Sequence, residues 1–140
     1  MKLNFSYEMP DSGELFRLFE STGWNSEYNL KMVELASAAQ ASSCTVSTYF
    51  EGSLVGFGRM VSDGVLHGMI YEMMVPPVHQ GKGIGSEILR RLIHFAEKEG
   101  IREVQLFCAE GKEDFYRKHG FVRRPDSAPG MTYVQTQNPR

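Results

Sequence analysis

The segment Gln80-Gly81-Lys82-Gly83-Ile84-Gly85 constrains this chain more than any other. It follows an apolar, strand-like run that Pro76-Pro77 brings to a stop, because proline cannot donate to a β-ladder. It precedes a strongly amphipathic stretch in which Ile84, Ile88, Leu92 and Phe95 recur at helical spacing, with Leu89 and Ala96 beside them. Gly100 ends that stretch in the usual position just past a helix. The segment therefore predicts a strand, a tight glycine turn and a helix start. The first N–H groups of a helix have no intrahelical partner, and the helix dipole is positive there. Such a turn is a ready seat for a phosphate group.

The rest of the chain surrounds this unit with short elements. Residues 3–7 alternate apolar and polar side chains and predict a first strand. Asp11 and Glu14 are spaced as in a capping box, which predicts a helix to about residue 21 that buries Leu15, Leu18 and Phe19. Gly23-Trp24-Asn25 breaks it, and a second helix over residues 26–37 would turn Leu30, Val33 and Leu35 inward. Residues 44–50 and 53–61 read as strands joined by the hairpin signal Glu51-Gly52. Asp63-Gly64 is a second turn, leading into a long strand over residues 65–75. After the amphipathic helix come a strand at 103–108, a short helix at 113–119 closed by Gly120, and a last strand pair between Phe121 and Val134. The order predicts one mixed α/β (α+β) domain over residues 1–140, with no linker and no internal repeat.

Composition removes several classes of function. With a formal net charge of −2, nothing favours general nucleic-acid binding. No apolar run reaches the roughly 18 residues of a membrane span, and the N-terminus lacks the apolar stretch of a signal peptide. Cys44 and Cys108 are the only cysteines, too few for a disulfide framework, so a reducing cytoplasm is the expected compartment. No metal is expected, no nucleic-acid or membrane partner either, and a homodimer is compatible with the chain.

The chain resembles the GCN5-related N-acetyltransferase (GNAT) superfamily. Gln80, Gly83 and Gly85 fill its signature Gln/Arg-x-x-Gly-x-Gly/Ala, and Met73 to Gly85 match its strand, proline-containing turn and helix start. Phe115-Tyr116-Arg117-Lys118-His119-Gly120-Phe121 resembles its second hallmark, and Gly23-Trp24 after the first helix also recurs there. The resemblance covers nearly the whole chain in order. It implies a mostly antiparallel central sheet flanked by helices and splayed between the fourth and fifth strands. Gly130-Met131 and Asp63-Gly64 look like a branch that acetylates small amines. One departure is Ala109, which stands where many members carry an asparagine that contacts the pantetheine arm.

The resemblance implies acetyl-CoA as co-substrate. Its pyrophosphate would lie on the amides of Gly81, Lys82, Gly83, Ile84 and Gly85, with Ser86 nearby and Gln80 completing the motif. Lys82 would add a cation or simply remain solvated. The pantetheine arm would pair like an extra strand with Met73, Met74 and Val75, and an amide of Met74 or Val75 would face the thioester oxygen. An alkyl amine acceptor arrives protonated, since its pKa is near 10. Glu72, on the strand that would carry the thioester, is the first choice to draw off that proton or bind the amine; the plainer reading is an outward strand carboxylate. A bulge in that strand would reverse which face it takes. His67 and His79 are weaker candidates for the base, with a surface histidine as the plainer reading of each, and Cys108 is read as a small buried residue rather than a nucleophile. Tyr116 is the expected acid for the leaving thiolate, against the plainer role of packing beside Phe115. Trp24, Tyr28 and Tyr71 would line an acceptor pocket, with Glu27 drawing in a cation.

The expected reaction is direct attack of a small-molecule primary amine on the thioester in a ternary complex. A dinucleotide fold fits poorly, because Ser86 holds the third glycine position and the motif follows antiparallel hairpins. The nucleotide P-loop pattern is absent. The alternative from another class is a non-catalytic acyl-CoA-binding module, which would keep the glycine turn and dispense with acid and base.

Overall fold

The structure is a computed structural model that describes residues 2–135, so the expected domain over 1–140 extends past the described residues at both ends. The chain forms two compact units, Met1–Leu106 and Phe107–Arg140.

The first unit holds a five-stranded sheet in the order β1-β2-β3-β4-β5. Its strands are β1 (Leu3–Ser6), β2 (Cys44–Phe50), β3 (Ser53–Ser62), β4 (His67–Met74) and β5 (Glu103–Leu106). Neighbours run antiparallel except β4 and β5, which are parallel. The pairing of β4 with β5 ends at Ile70 opposite Leu106, so Tyr71 to Met74 continue past it. Over that stretch, among the described residues, β4 has a strand on one side only, with Tyr71 opposite Arg59 and Met74 opposite Phe57 of β3.

Helices cover both faces. Helix α1 (Ser12–Ser21) starts at Asp11, whose carboxylate accepts the Glu14 amide at 3.1 Å. The other half of the expected capping box is not made. The Glu14 carboxylate instead accepts the Leu54 amide at 3.2 Å and ties α1 to β3. Leu15, Leu18 and Phe19 are buried as expected, in a cluster with Leu35, Ala39, Phe57 and Met74.

The predicted helix over 26–37 is two helices, α2 (Asn25–Tyr28) and α3 (Met32–Gln40). Asn25 is the reason. Its Oδ1 accepts the Leu30 amide at 2.7 Å and its Nδ2 donates to the Leu30 carbonyl, while Asn29 takes a left-handed φ of 54°. The chain turns there and restarts at Lys31, where Glu34 accepts the Lys31 amide. The restart shifts the helical phase, so Leu35 is buried but Val33, expected inside, is 70% exposed.

On the opposite face, α4 (Ile84–Glu99) packs across β2, β3 and β4. It buries Ile84, Ile88, Leu89, Leu92 and Ala96, the isoleucines and leucines each contributing roughly 1.5–3 kcal/mol. The helix sits close because β3 presents glycine to it. A Cβ on Gly58 would lie 2.7 Å from Ile88 Cγ2, and one on Gly56 would lie 2.8 Å from Ile84 Cγ2.

The strand expected over 65–75 begins only at His67. Asp63 captures the amides of Val65, Leu66 and His67, which pulls residues 63–66 into a loop and holds its carboxyl below the usual range. No helix among the described residues is long and apolar enough to cross a membrane.

The second unit holds α5 (Glu113–Arg117), ending before the expected residue 119, with the chain reversing at Gly120. The strand pair expected between Phe121 and Val134 is absent among the described residues. Pro125 and Pro129 remove two donors, and Arg124 closes a local turn by donating to the Ala128 carbonyl. Val122, Met131, Tyr133 and Val134 are exposed there.

Candidate active site

The glycine turn is built as a cradle. Pro77–His79 form a single 3-10 turn after β4. Gln80 Nε2 then donates to the Val75 carbonyl at 2.8 Å and clips the two ends of this turn together. Its side chain is thus committed to shaping the loop. Gly81 and Gly83 have φ of 79° and 83°, the left-handed region that costs other residues about 1–2 kcal/mol. A Cβ at either position would meet nothing within 4 Å, so both glycines border open space. Gly83 caps α4 without any side-chain hydrogen bond, and the first intrahelical bond is Glu87 N to Gly83 O. The amides of Ile84 and Gly85 precede it, which leaves them for an anion. Ile84 contributes only its backbone, since its side chain is 1% exposed. Lys82 is exposed beside them, and Ser86 is half-buried in the first turn of α4.

The second part is the bulged end of β4. Between Tyr71 opposite Arg59 and Met74 opposite Phe57, the strand carries one more residue than β3 does. Glu72 takes φ of 48° in this bulge. The extra residue breaks the alternation. Tyr71 lies under the Arg59 guanidinium, 5.5 Å from its carbon, and Glu72 Oε1 accepts from Arg59 Nε at 2.5 Å, so both side chains serve the Arg59 side. Met73 is turned the other way, against Gly58 and the α4 face, and Met74 is in the core. Met73 and Met74 therefore have only backbone to offer a ligand. The Glu72 side chain is 23% exposed, and its Oε2 makes no hydrogen bond among the described residues.

Arg59 is the neighbour that sequence reasoning missed. The available signal was a lone charge inside the alternation of residues 53–61.

The other expected residues lie on other elements or at the far end of β4. Trp24 is 37% and Tyr28 49% exposed around α2, with the Tyr28 ring 6.5 Å from Phe19. Glu27 is exposed on the same short helix, and His67 is exposed at the start of β4. His79 is not the surface histidine expected: it is half-buried with its ring against Phe50, and Nδ1 is buried without a partner. Its backbone amide donates to the Pro76 carbonyl at 2.9 Å within the turn.

In the second unit, Tyr116 packs edge-on against Phe115 and Phe121. Burial, with a smaller contribution from Cys108, pushes its phenol up to about 12. Cys108 is exposed rather than buried, because β5 ends before it. Ala109 beside it is exposed and offers no side-chain polar group. Among the described residues, no group of three His, Cys, Asp or Glu is placed to hold a metal ion.

The family model for the Acetyltransferase (GNAT) family matches residues 11–121. The chain belongs to the GNAT family. This GNAT protein is 34% identical over 122 residues to an uncharacterized N-acetyltransferase, ycf52, of Porphyra purpurea, covering 84% of this chain and 68% of that one. It is 30% identical over 86 residues to a chloroplastic serotonin N-acetyltransferase of Oryza sativa, covering 61% of this chain and 43% of that one. Its fold matches the crystal structure of a probable acetyltransferase from Staphylococcus aureus with a TM-score of 0.81 at 20% identity, over 96% of this chain and 99% of that one. The family uses acetyl-CoA as co-substrate. The residues present fit that group. The cradle at Gly81 and Gly83 is open and rich in amide donors, and β4 runs on past β5 from Tyr71 to Met74.

Proposed function

We propose that this GNAT protein transfers the acetyl group of acetyl-CoA to the primary amine of a small molecule, by direct attack in a ternary complex. The observation that carries the reading is Glu72. A carboxylate with one oxygen tied and the other open sits in the β4 bulge, beyond the last pairing with β5. An aromatic ethylamine is the favoured acceptor class. The serotonin-acetylating relative supports it, as do Tyr71 beside Glu72 and the exposed Trp24 and Tyr28.

Gly81, Lys82, Gly83, Ile84, Gly85 and Ser86 would hold the pyrophosphate, with Gln80 shaping their turn. The backbone of Met73, Met74 and Val75 would hold the pantetheine arm. Bound there, acetyl-CoA supplies an acetyl group activated as a thioester. Glu72 Oε2 binds the acceptor ammonium and takes its proton, directly or through a water. A backbone amide near Met74 or Val75 donates to the oxygen on which charge develops.

Tyr116 carries its role from the sequence motif. A phenol at about 12 stays protonated across neutral pH. It is also a weaker acid than an ordinary thiol, so complete proton transfer to the leaving sulfur is uphill. A hydrogen bond that holds the departing thiolate is the part it can play best.

The test is CoA release from acetyl-CoA over a panel of tryptamine, phenethylamine, spermidine and peptides with free N-termini or lysines, against an acceptor-free blank. Release that depends on a small amine is the expected outcome. Faster acetylation of peptides would overturn the small-molecule acceptor. Release no faster than the blank, together with tight binding of acetyl-CoA, would favour the non-catalytic module.

A further inference from the structure

We infer that Arg59 is a positioning residue for the acceptor site, holding Glu72 in the orientation that leaves Oε2 open. The inference rests on the reading of Glu72 as the amine-binding group.

Arg59 lies in the middle of β3, and its side chain is 15% exposed. A guanidinium so enclosed needs a reason, because an ion pair taken from water adds little stability over apolar side chains of the same size. Its hydrogen bonds supply one. Nε donates to Glu72 Oε1 at 2.5 Å, while Nη1 donates to the Ala38 carbonyl at 3.2 Å and to Ser42 Oγ at 3.1 Å. The planar group thus spans from the end of α3 to the β4 bulge, with Tyr71 against it.

The Glu72 backbone is left-handed, φ 48°, which glutamate does not favour by itself. Arg59 holds that carboxylate at one oxygen from a frame set by α3. A carboxylate fixed in this way meets the acceptor already oriented. Lysine cannot replace the fork, because one ammonium on a flexible stem does not reproduce the planar geometry of the three bonds.

The experiment is a double-mutant cycle with Arg59→Met and Glu72→Gln. It reads kcat and KM with tryptamine, the calorimetric Kd of acetyl-CoA, and the melting temperature. Glu72→Gln is expected to lower kcat/KM for tryptamine on the order of a hundredfold. Arg59→Met should lower it by about tenfold or more, and adding it to Glu72→Gln should change little further, within about twofold. Acetyl-CoA affinity should stay unchanged in all three, and Arg59→Lys should not restore the rate. Losses that multiply, or an Arg59→Met rate equal to that of the unaltered chain, overturn the positioning role.

Should Arg59→Met not fold, Ser42→Ala decides. It loosens one anchor of the guanidinium, and its rate loss must vanish in the Glu72→Gln background. If the unaltered chain turns over no amine in the panel, the functional reading has failed. Crystal structures of the unaltered and altered chains then decide the positioning role. A Glu72 carboxylate displaced in Arg59→Met, or in Ser42→Ala, supports it, and one left in place overturns it.

Discussion

Glu72 takes a left-handed backbone, keeps one oxygen on Arg59 and leaves the other open. Glycine adopts that backbone without strain, whereas alanine does not. Glu72→Gly should therefore be more stable than Glu72→Ala by about 1 kcal/mol in urea titrations, although both lose the carboxylate and with it the acceptor-dependent rate. Equal stabilities would mean that the bulge relaxes when the carboxylate leaves. Tyr116 yields a different signature. Burial and Cys108 raise its phenol to about 12, so it stays protonated up to and beyond pH 10. Tyr116→Phe should lower kcat by about 10- to 100-fold, by the same factor at every pH from about 6 to 10, and leave acetyl-CoA affinity unchanged. A factor that shrinks within that range would show a phenol of ordinary acidity.

Two elements set the shape of the proposed cofactor seat. Helix α4 lies close to the sheet because Gly56 and Gly58 leave room for Ile84, Ile88 and Met73. A methyl at residue 58 would meet Ile88 Cγ2 and Met73 Sδ, each at 2.7 Å. Gly58→Ala should destabilise the fold by about 1–3 kcal/mol, read as a lower urea midpoint with an unchanged slope. The glycine turn works in the opposite way, because residues 81 and 83 face open space. Gly83→Glu brings bulk and negative charge to the amide cradle and imposes a left-handed φ on a side chain that resists it. It should abolish measurable acetyl-CoA binding in calorimetry while the chain still folds; retained affinity would remove the phosphate assignment. The element boundaries that differ from expectation have local causes. Asn25 folds its own side chain onto Leu30 and divides the second helix. Asp63 gathers three amides and delays β4. Each is a side chain competing with backbone pairing, which hydrophobic periodicity does not register.

Ligand binding and folding are linked across the whole molecule. Acetyl-CoA at a hundredfold excess over its Kd should stabilise the chain by about 2.7 kcal/mol, seen as a melting temperature raised by several degrees. Gly83→Glu should show no such rise, and a rise of equal size in that variant would place the ligand elsewhere. By itself the sequence determined the strand, glycine turn and α4 as one unit, and the antiparallel β2–β3–β4 meander. These features rest on local rules: helical spacing, proline stops and turn residues act within a few positions of each other. Only the tertiary structure decided the β4 bulge, and with it the face that Glu72 takes. One extra residue in a strand reverses alternation, and nothing in Tyr71-Glu72-Met73-Met74 announces it. Arg59 meets Glu72 for the same reason. It lies thirteen positions from Glu72 and seventeen from Ser42, and folding alone brings the three together.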